Sequence, residues 1–157
     1  MQTSPSSAIL ASPIGNLRID MRGNKVLRIS FLGFDPATEL CAEPSCHPLY
    51  SELQSYFKDR HHRFSVPLDL VGTPFQQSVW QALTEIPRGT TLTYGELAKR
   101  LDTSPRAVGN ACRNNPIPII VPCHRIVGRE STGGFAGKTD GSMMDIKHWL
   151  LAHEKGV

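Results

Sequence analysis

Three helix-start signals lie between residues 73 and 105, and they constrain the fold more than any other feature of the chain. Thr73 and Thr93 are each followed, three residues later, by a glutamine or a glutamate, which is the pattern of a capping box. A proline follows Thr73 and another follows Ser104, as is common at the first position of a helix. Because apolar residues recur at helical spacing after these signals, the sequence predicts a mostly helical region from residue 72 onward.

The first half of the chain has the alternation of strands. Two neighbouring runs alternate apolar and polar residues, and Gly23 and Asn24 form a two-residue turn between them. This pattern predicts a hairpin whose buried residues are Leu17, Ile19, Met21, Leu27, Ile29 and Phe31. Residues 8–13 are a candidate third strand, and apolar residues from Leu49 to Phe57 recur at the spacing of a helix.

These patterns together predict an α+β protein of two domains. Residues 1–71 form a small N-terminal α/β domain with an antiparallel sheet, and residues 72–157 form a mostly helical C-terminal domain. A hydrophobic content of 39% with 20% charged residues is that of a folded globular protein and excludes a disordered chain. Since the sequence has neither a membrane-spanning run nor a signal peptide, we expect no membrane contact and a cytoplasmic location.

One helix in the second half has a basic, polar face. In the helix that follows Ser104, the apolar stripe consists of Ala107, Val108, Ala111 and Cys112. The opposite face carries Arg106, Gly109, Asn110 and Arg113. Two short helices around a tight turn, with such a face on the second, are typical of a DNA-binding helix-turn-helix, but an ordinary helical hairpin with a solvated face fits equally well. The net charge of +3 is compatible with an anionic partner and does not demand one.

The cysteines differ in their surroundings. Cys112 belongs to the apolar stripe and is expected to be a core residue. Cys123 lies between a proline and His124, in a segment that the prolines keep out of a helix. A thiol needs a base or a positive field to act as a nucleophile, and His124 and Arg125 are the nearest candidates. Because neighbours on an extended chain point in opposite directions, proton transfer from Cys123 to His124 is expected to need a water molecule.

The run Pro122-Cys123-His124-Arg125 resembles the active-site signature of the O6-alkylguanine-DNA alkyltransferases. Further matches follow one another in order from about Gly72 to Gly156, whereas the first half resembles the family only weakly, at Ser12-Pro13-Ile14-Gly15 and the hairpin after it. These further matches are Gly72-Thr73-Pro74-Phe75, Thr93 to Ala98, Ser104 to Gly109, Asn115 to Pro118 and Trp149 to Glu154. The resemblance implies a ribonuclease H-like N-terminal domain and a helix-turn-helix in the C-terminal one.

The activity that this resemblance implies is DNA repair by direct damage reversal. Cys123 takes an alkyl group from O6 of guanine in double-stranded DNA, after deprotonation by His124 through a water molecule. Glu154 orients the imidazole of His124, and Asn115 ties the recognition helix to the segment before Cys123. Because a thioether has no easy leaving group, each molecule acts once and needs no cofactor. Arg125 receives no role.

The resemblance implies that the protein binds the minor groove as a monomer and flips the damaged base out of the helix. Arg106 fills the vacated stack, and Tyr94 helps to rotate the nucleotide and can donate a proton to the departing guanine. The basic face with Gly109, Asn110 and Arg113 contacts the DNA. Activity on O4-alkylthymine and cooperative assembly along DNA stay open.

The alkyl pocket is where the sequence departs from its relatives. The pocket residues implied by the resemblance are Phe135, Ala136, Gly137, Pro118, Ile126 and Trp80. Phe135 and Ala136 stand where many relatives carry hydroxyl groups, and the loop before Lys147 is longer than usual. We therefore expect groups larger than methyl to be tolerated.

Three alternative interpretations fit the sequence less well. A non-enzymatic lesion-binding module would lack the nucleophile, and a cysteine hydrolase would not explain the basic helix face. No metal is expected, because the single candidate zinc cluster does not have the spacing of a zinc site. That cluster comprises Cys41, Cys46, His47, His61 and His62.

Overall fold

The structure is a computed structural model that describes residues 5–35, 48–129 and 142–156. The chain divides into two compact units, Met1–Leu70 and Val71–Val157, so that the first unit ends one residue before the predicted boundary. Within the described ranges no helix has both the length and the apolar character needed to cross a membrane. A small antiparallel sheet together with several helices makes the protein α+β, as predicted.

The first unit contains a three-stranded antiparallel sheet in the order β1-β2-β3. Its strands are β1 (Pro5–Leu10), β2 (Asn16–Arg22) and β3 (Lys25–Gly33). Leu17, Ile19 and Met21 of β2 are all buried, which confirms the alternation predicted for this strand. The candidate third strand exists but lies earlier than predicted, at residues 5–10 rather than 8–13. It ends before Pro13 because residues 12–15 form a turn, which is closed by the amide of Gly15 donating to Ser12 O at 3.1 Å.

The predicted buried face of β3 is partly wrong. Val26 and Ile29 are buried, while Leu27 and Phe31 are partly exposed. The reason is an irregularity in the pairing of β2 with β3: Met21 pairs with Val26, Asp20 pairs with Arg28, and Leu27 is left without a partner position. Such a bulge shifts the alternation by one residue, so Val26 faces the core in place of Leu27. Phe31 alternates regularly with Ile29 beyond the bulge, and nothing in the structure explains its partial exposure.

Among the described residues of the first unit, one helix follows the sheet, α1 (Pro48–Lys58). It buries Leu49, Tyr50, Leu53 and Tyr56 along one side, which confirms the predicted helix. The chain after α1 returns to the sheet at one parallel bridge between Val26 and Leu68.

Where the structure describes it, the second unit is mostly helical, with one short parallel pair of strands. Its elements are α2 (Pro74–Thr84), β4 (Leu92–Thr93), α3 (Tyr94–Leu101), α4 (Pro105–Arg113), a 3-10 turn (Cys123–Arg125), β5 (Ile126–Val127) and α5 (Ser142–Lys155). Both predicted capping boxes are present, at Thr73 with Gln76 and at Thr93 with Glu96. Each box satisfies amides at the helix start that would otherwise have no partner.

Helices α3 and α4 are joined by a tight turn. Asp102 ends α3 in the left-handed conformation, with a φ of 54°, and Ser104 begins α4 by accepting a hydrogen bond from the amide of Ala107 at 3.1 Å. Behind α4, the indole of Trp80 in α2 donates to the carbonyl oxygen of Ala111 at 2.9 Å. The inner side of α4 is thereby held against α2, and its other side is left to solvent.

Candidate active site

The segment before the 3-10 turn is organised by the side chain of Asn115. Its Nδ2 donates to the carbonyl oxygen of Val121 at 2.8 Å, and its Oδ1 accepts from the amide of Ile117 at 3.0 Å. Ile119, inside this loop, is buried and has a φ of 75°, a conformation that β-branched residues rarely adopt. Strain of this kind persists only where the surroundings hold the backbone, so Asn115 keeps the segment in one shape.

Cys123 opens the 3-10 turn and is buried, with 7% of its surface exposed. Burial raises the pKa of its thiol, and a hydrogen bond from Asn115 and the charge of Lys147 oppose that rise only in part. The resting side chain is therefore a thiol rather than a thiolate. A nucleophilic role then requires that a base remove its proton during the reaction.

His124, the next residue, has the properties of such a base. It is fully buried, and its Nε2 donates to Oε2 of Glu154 at 2.8 Å. Burial lowers the pKa of His124, although Glu154 opposes the effect, so the ring is neutral near pH 7. Because the proton lies on Nε2, the other nitrogen keeps its lone pair, and within the described parts of the chain Nδ1 has no hydrogen-bond partner.

Arg125, to which the sequence assigned no role, completes a buried ionic cluster. Its Nε donates to Oε1 of Glu154 and one terminal nitrogen to Oε2, both at 2.9 Å, while the other terminal nitrogen donates to Ile86 O at 2.6 Å. Burial alone would raise the pKa of Glu154, but the hydrogen bonds and charges of His124 and Arg125 hold it well below its usual range. Glu154 is thus a permanent carboxylate that orients both neighbours.

The face of α4 that carries Arg106, Asn110 and Arg113 is exposed, as its helical periodicity predicted. Gly109 lies among them, and of the described atoms a Cβ built there would meet only Cε1 of Tyr94, at an ordinary contact distance of 3.9 Å. Tyr94, the first residue of α3, therefore lies beside Gly109. Within the chain there is room for a side chain at position 109, and a backbone without one leaves space for a partner to approach closely.

The predicted pocket residues are only partly described. Phe135, Ala136 and Gly137 lie outside the described residues. Pro118, which precedes Cys123 in the sequence, and Ile126, which follows it, are both buried. Trp80 is a core residue whose indole is hydrogen-bonded to the backbone of α4. Their role as a pocket stays a prediction.

The residues of the weak zinc cluster do not form a described site. Cys41, Cys46 and His47 lie outside the described residues, and His62 lies 3.4 Å from a carboxylate oxygen of Glu52. Within residues 5–35, 48–129 and 142–156, no three metal-binding side chains come together.

One buried cation was missed from the sequence. Lys147 in α5 has none of its surface exposed, and its Nζ donates to the carbonyl oxygen of Ile126 at 2.7 Å. The available signal was spacing, since Lys147 and Glu154 are seven residues apart and therefore lie on one face of the helix.

A buried thiol, a neutral histidine and a carboxylate that sets its tautomer can supply a thiolate together with the base that generates it. The second unit thus contains the kind of site found in enzymes that use a cysteine nucleophile. Because the same unit exposes a basic helix face, an anionic polymer is a fitting substrate.

Comparisons with known proteins identify the family. The model of the 6-O-methylguanine DNA methyltransferase, DNA binding domain, matches residues 74–156. A Bacillus subtilis protein named methylated-DNA–protein-cysteine methyltransferase, constitutive, is 37% identical over 155 residues, which cover 92% of this chain and 92% of that protein. The chain therefore belongs to the 6-O-methylguanine DNA methyltransferase family, and it is a DNA-binding methyltransferase of DNA repair.

Solved structures agree with this assignment. This chain is similar to the crystal structure of the Mycobacterium tuberculosis O6-methylguanine methyltransferase, with a TM-score of 0.79 and 35% identity. The alignment covers 98% of this chain and 94% of that chain. The Mycobacterium tuberculosis OGT in complex with DNA has a TM-score of 0.78 at 36% identity, covering 96% of this chain and 93% of that chain.

Proposed function

We propose that the protein repairs duplex DNA by moving an alkyl group from O6 of guanine to Cys123, once per molecule. The observation that carries this proposal is the hydrogen bond from Nε2 of His124 to Glu154, which leaves Nδ1 as a proton acceptor one residue from the thiol. The relatives named as methylated-DNA–protein-cysteine methyltransferases support the substrate class.

The transfer needs one displacement and one proton relay. His124 takes the proton of Cys123 through a water molecule, and the sulfur attacks the alkyl carbon while the bond from that carbon to O6 breaks. The electron pair leaves with guanine, which takes up a proton, for which Tyr94 is the proposed donor. The product is a thioether, and because a thioether has no easy leaving group at neutral pH, the protein is consumed in the reaction.

The burial of the thiol supports a mechanism with base flipping. A sulfur atom with 7% of its residue exposed cannot reach a base that is stacked inside a duplex. We assign the DNA contact to α3 and α4 as a helix-turn-helix that enters the minor groove, with Arg106 filling the vacated stack and Gly109, Asn110 and Arg113 on the same face. Asn115 joins the end of α4 to the loop that precedes Cys123.

Finer features of the fold and substrate range belong to the same proposal. Residues 1–71 are a ribonuclease H-like domain, and residues 72–157 bind DNA and carry out the transfer. The protein acts as a monomer without a cofactor. The pocket facing the thiol contains Phe135, Ala136 and Gly137, and the smaller number of hydroxyl groups there favours alkyl groups larger than methyl.

The proposal is tested with a duplex that contains a single O6-methylguanine. After incubation, mass spectrometry of the protein should show the gain of one methyl group on the peptide that contains Cys123, with at most one group per molecule. Cys123→Ala should gain nothing. The matched control is Cys112→Ala, which removes the other described cysteine and should react as the wild type does.

Three results would contradict the proposal. Tight lesion binding with no gain of mass would favour a non-enzymatic module, and conversion of many equivalents of DNA would indicate a hydrolase. Methyl transfer that persists in Cys123→Ala would place the nucleophile elsewhere.

A further inference from the structure

Helix α2 packs against two parts of the second unit that the proposed function uses. One is α4, which carries the exposed basic face, and the other is the 3-10 turn that contains Cys123. On the first side, the indole Nε1 of Trp80 donates to the carbonyl oxygen of Ala111 in α4 at 2.9 Å. On the second side, Arg125 donates to the carbonyl oxygen of Ile86, just beyond the end of α2, at 2.6 Å. Helix α2 therefore joins the basic face to the turn of the nucleophile.

The carbonyl oxygen of Ala111 takes its partner from outside α4. It lies in the last turn of the helix, where carbonyl groups lose the regular amide partner four residues further on. The amide of Asn115, four positions ahead, donates to Cys112 O instead, at 3.2 Å. Trp80 and Ala111 are both buried, so water has little access to the bond between them. The indole thus satisfies a buried acceptor that the end of the helix leaves open.

The ring of Trp80 is itself held in place by Gly72. A Cβ atom built on Gly72 would lie 2.6 and 2.7 Å from two ring carbons of Trp80 and 2.7 Å from Oε1 of Gln76. The backbone at this glycine is fixed to α2, because its carbonyl oxygen accepts from Nε2 of Gln77 at 3.2 Å. Any larger residue at position 72 would therefore displace the indole from the position in which it reaches Ala111.

We propose that Trp80 is a positioning residue of the alkyl transfer, which sets the place of α4 relative to the turn of Cys123 through its bond to Ala111. The inference rests on the proposed function in taking the basic face of α4 as the DNA contact. A base held by α4 must arrive within reach of the thiol, and a misplacement of about 1 Å can slow a reaction about a hundredfold. The loop before Cys123 keeps its own bonds to Asn115, so the thiol itself is unaffected.

The test removes the indole N–H group and keeps the shape of the ring. Trp149→Phe leaves Trp80 as the one tryptophan of the chain. This variant is produced either with tryptophan or with β-(3-benzothienyl)alanine, in which a sulfur atom replaces the N–H group. Single-turnover reactions with an O6-methylguanine duplex give the transfer rate at saturation, the Kd and the fraction of protein that reacts. The same proteins also react with free O6-benzylguanine. Trp149→Phe with ordinary tryptophan is the control and should match the wild type.

The two substrates should respond differently. We expect the benzothienyl protein to take the methyl group from the saturating duplex about tenfold more slowly, while the rate with the free base stays within about twofold. The Kd for the duplex should stay within about threefold, because the exposed arginines of α4 still reach the phosphates. Loss of folded protein would instead lower only the fraction that reacts. An unchanged rate on the saturating duplex overturns the inference. Equal slowing with both substrates overturns it as well, since that is the behaviour of a pocket residue.

Gly72→Ala tests the same contact with an ordinary amino acid. Because the added methyl group displaces the indole, this variant should also slow transfer from the duplex, by about tenfold, and spare the free base. The matched control is Val71→Ala, which changes the neighbouring exposed residue and should react as the wild type does. If the benzothienyl protein does not fold, a wild-type rate in Gly72→Ala is sufficient to overturn the inference.

Amide hydrogen exchange separates this inference from the proposed function. Loss of the indole bond should speed exchange in the peptide of residues 110–115 by about tenfold and leave the peptide of α3 unchanged. Unaltered exchange at the end of α4 overturns the inference even where methyl transfer is observed. A wild-type protein that takes no methyl group from the duplex refutes the proposed function, and exchange in α4 then decides whether Trp80 holds this helix.

Discussion

Arginine occurs in two opposite settings within the second unit. Arg125 has 8% of its surface exposed and directs three hydrogen bonds to Glu154 and Ile86, whereas Arg106 lies exposed on α4. A guanidinium enclosed among fixed acceptors stabilises the fold around it, but removing one partner leaves an uncompensated buried charge. An exposed guanidinium contributes little to stability and is available to a ligand. The same type of side chain therefore stabilises the fold at position 125, and at position 106 we propose that it serves recognition of DNA.

The largest expected effect comes from removing the buried arginine. Arg125→Met should lower the free energy of unfolding by about 3–5 kcal/mol, because Glu154 stays buried without its cationic partner and keeps only the hydrogen bond from His124. Arg106→Met should change it by no more than about 0.5 kcal/mol. Both tryptophans of the chain, Trp80 and Trp149, belong to the second unit, so urea denaturation followed by tryptophan fluorescence reports on this unit alone. Similar losses in the two variants would break the comparison.

The exposed arginine should show its effect on duplex DNA. Arg106→Ala should slow methyl transfer from an O6-methylguanine duplex by about ten- to a hundredfold, since the vacated stack is left unfilled at a cost of a few kcal/mol. Reaction with the free O6-alkylguanine base should stay within about twofold of the wild type. The control is Arg28→Ala, an exposed arginine of the first unit. Equal losses on the duplex and on the free base would argue against this role of Arg106.

The smallest expected effect concerns how the exposed helix is held. Ser104 caps α4 through one hydrogen bond to the amide of Ala107, so Ser104→Ala should lower the free energy of unfolding by about 1 kcal/mol. Ser104→Gly should lower the free energy of unfolding by only a few tenths of a kcal/mol, because glycine is also favourable at the N-cap position of a helix. Fluorescence-detected denaturation measures both. A loss as large as that of Arg125→Met would mean that α4 depends on a buried network too.

Prediction from the sequence was most accurate where structure depends on near neighbours. The capping boxes at Thr73 and Thr93 were confirmed, because both partners lie within one turn of each other. Prediction was wrong for Leu27 and Phe31 of β3, which alternation named as buried, and for Leu27 the reason is a bulge. A bulge depends on how two strands pair, and the sequence of one strand does not contain that information.

The candidate site divides in the same way. Its residues are recognisable from Pro122-Cys123-His124-Arg125 and from the glutamate of the last helix. The role of Arg125 and the burial of Lys147 were not predicted, because both depend on where α5 packs. The residues that follow Gly134 in the pocket lie outside the described part of the chain, and their role stays a prediction.

By itself the sequence determined the helix starts and the exposed basic face of α4, since each depends on residues within a few positions of one another. It also predicted Cys123 as the reactive thiol, through the resemblance of the residues around it to a known signature. The tertiary structure alone decided that one carboxylate accepts hydrogen bonds from both His124 and Arg125, the two residues that follow Cys123. Glu154 lies 30 residues from His124 and 29 from Arg125, and its two oxygens are divided between them. Contacts at that separation depend on how α5 packs against the turn, and desolvation in that packed interior also makes the charges of Arg125 and Lys147 consequential.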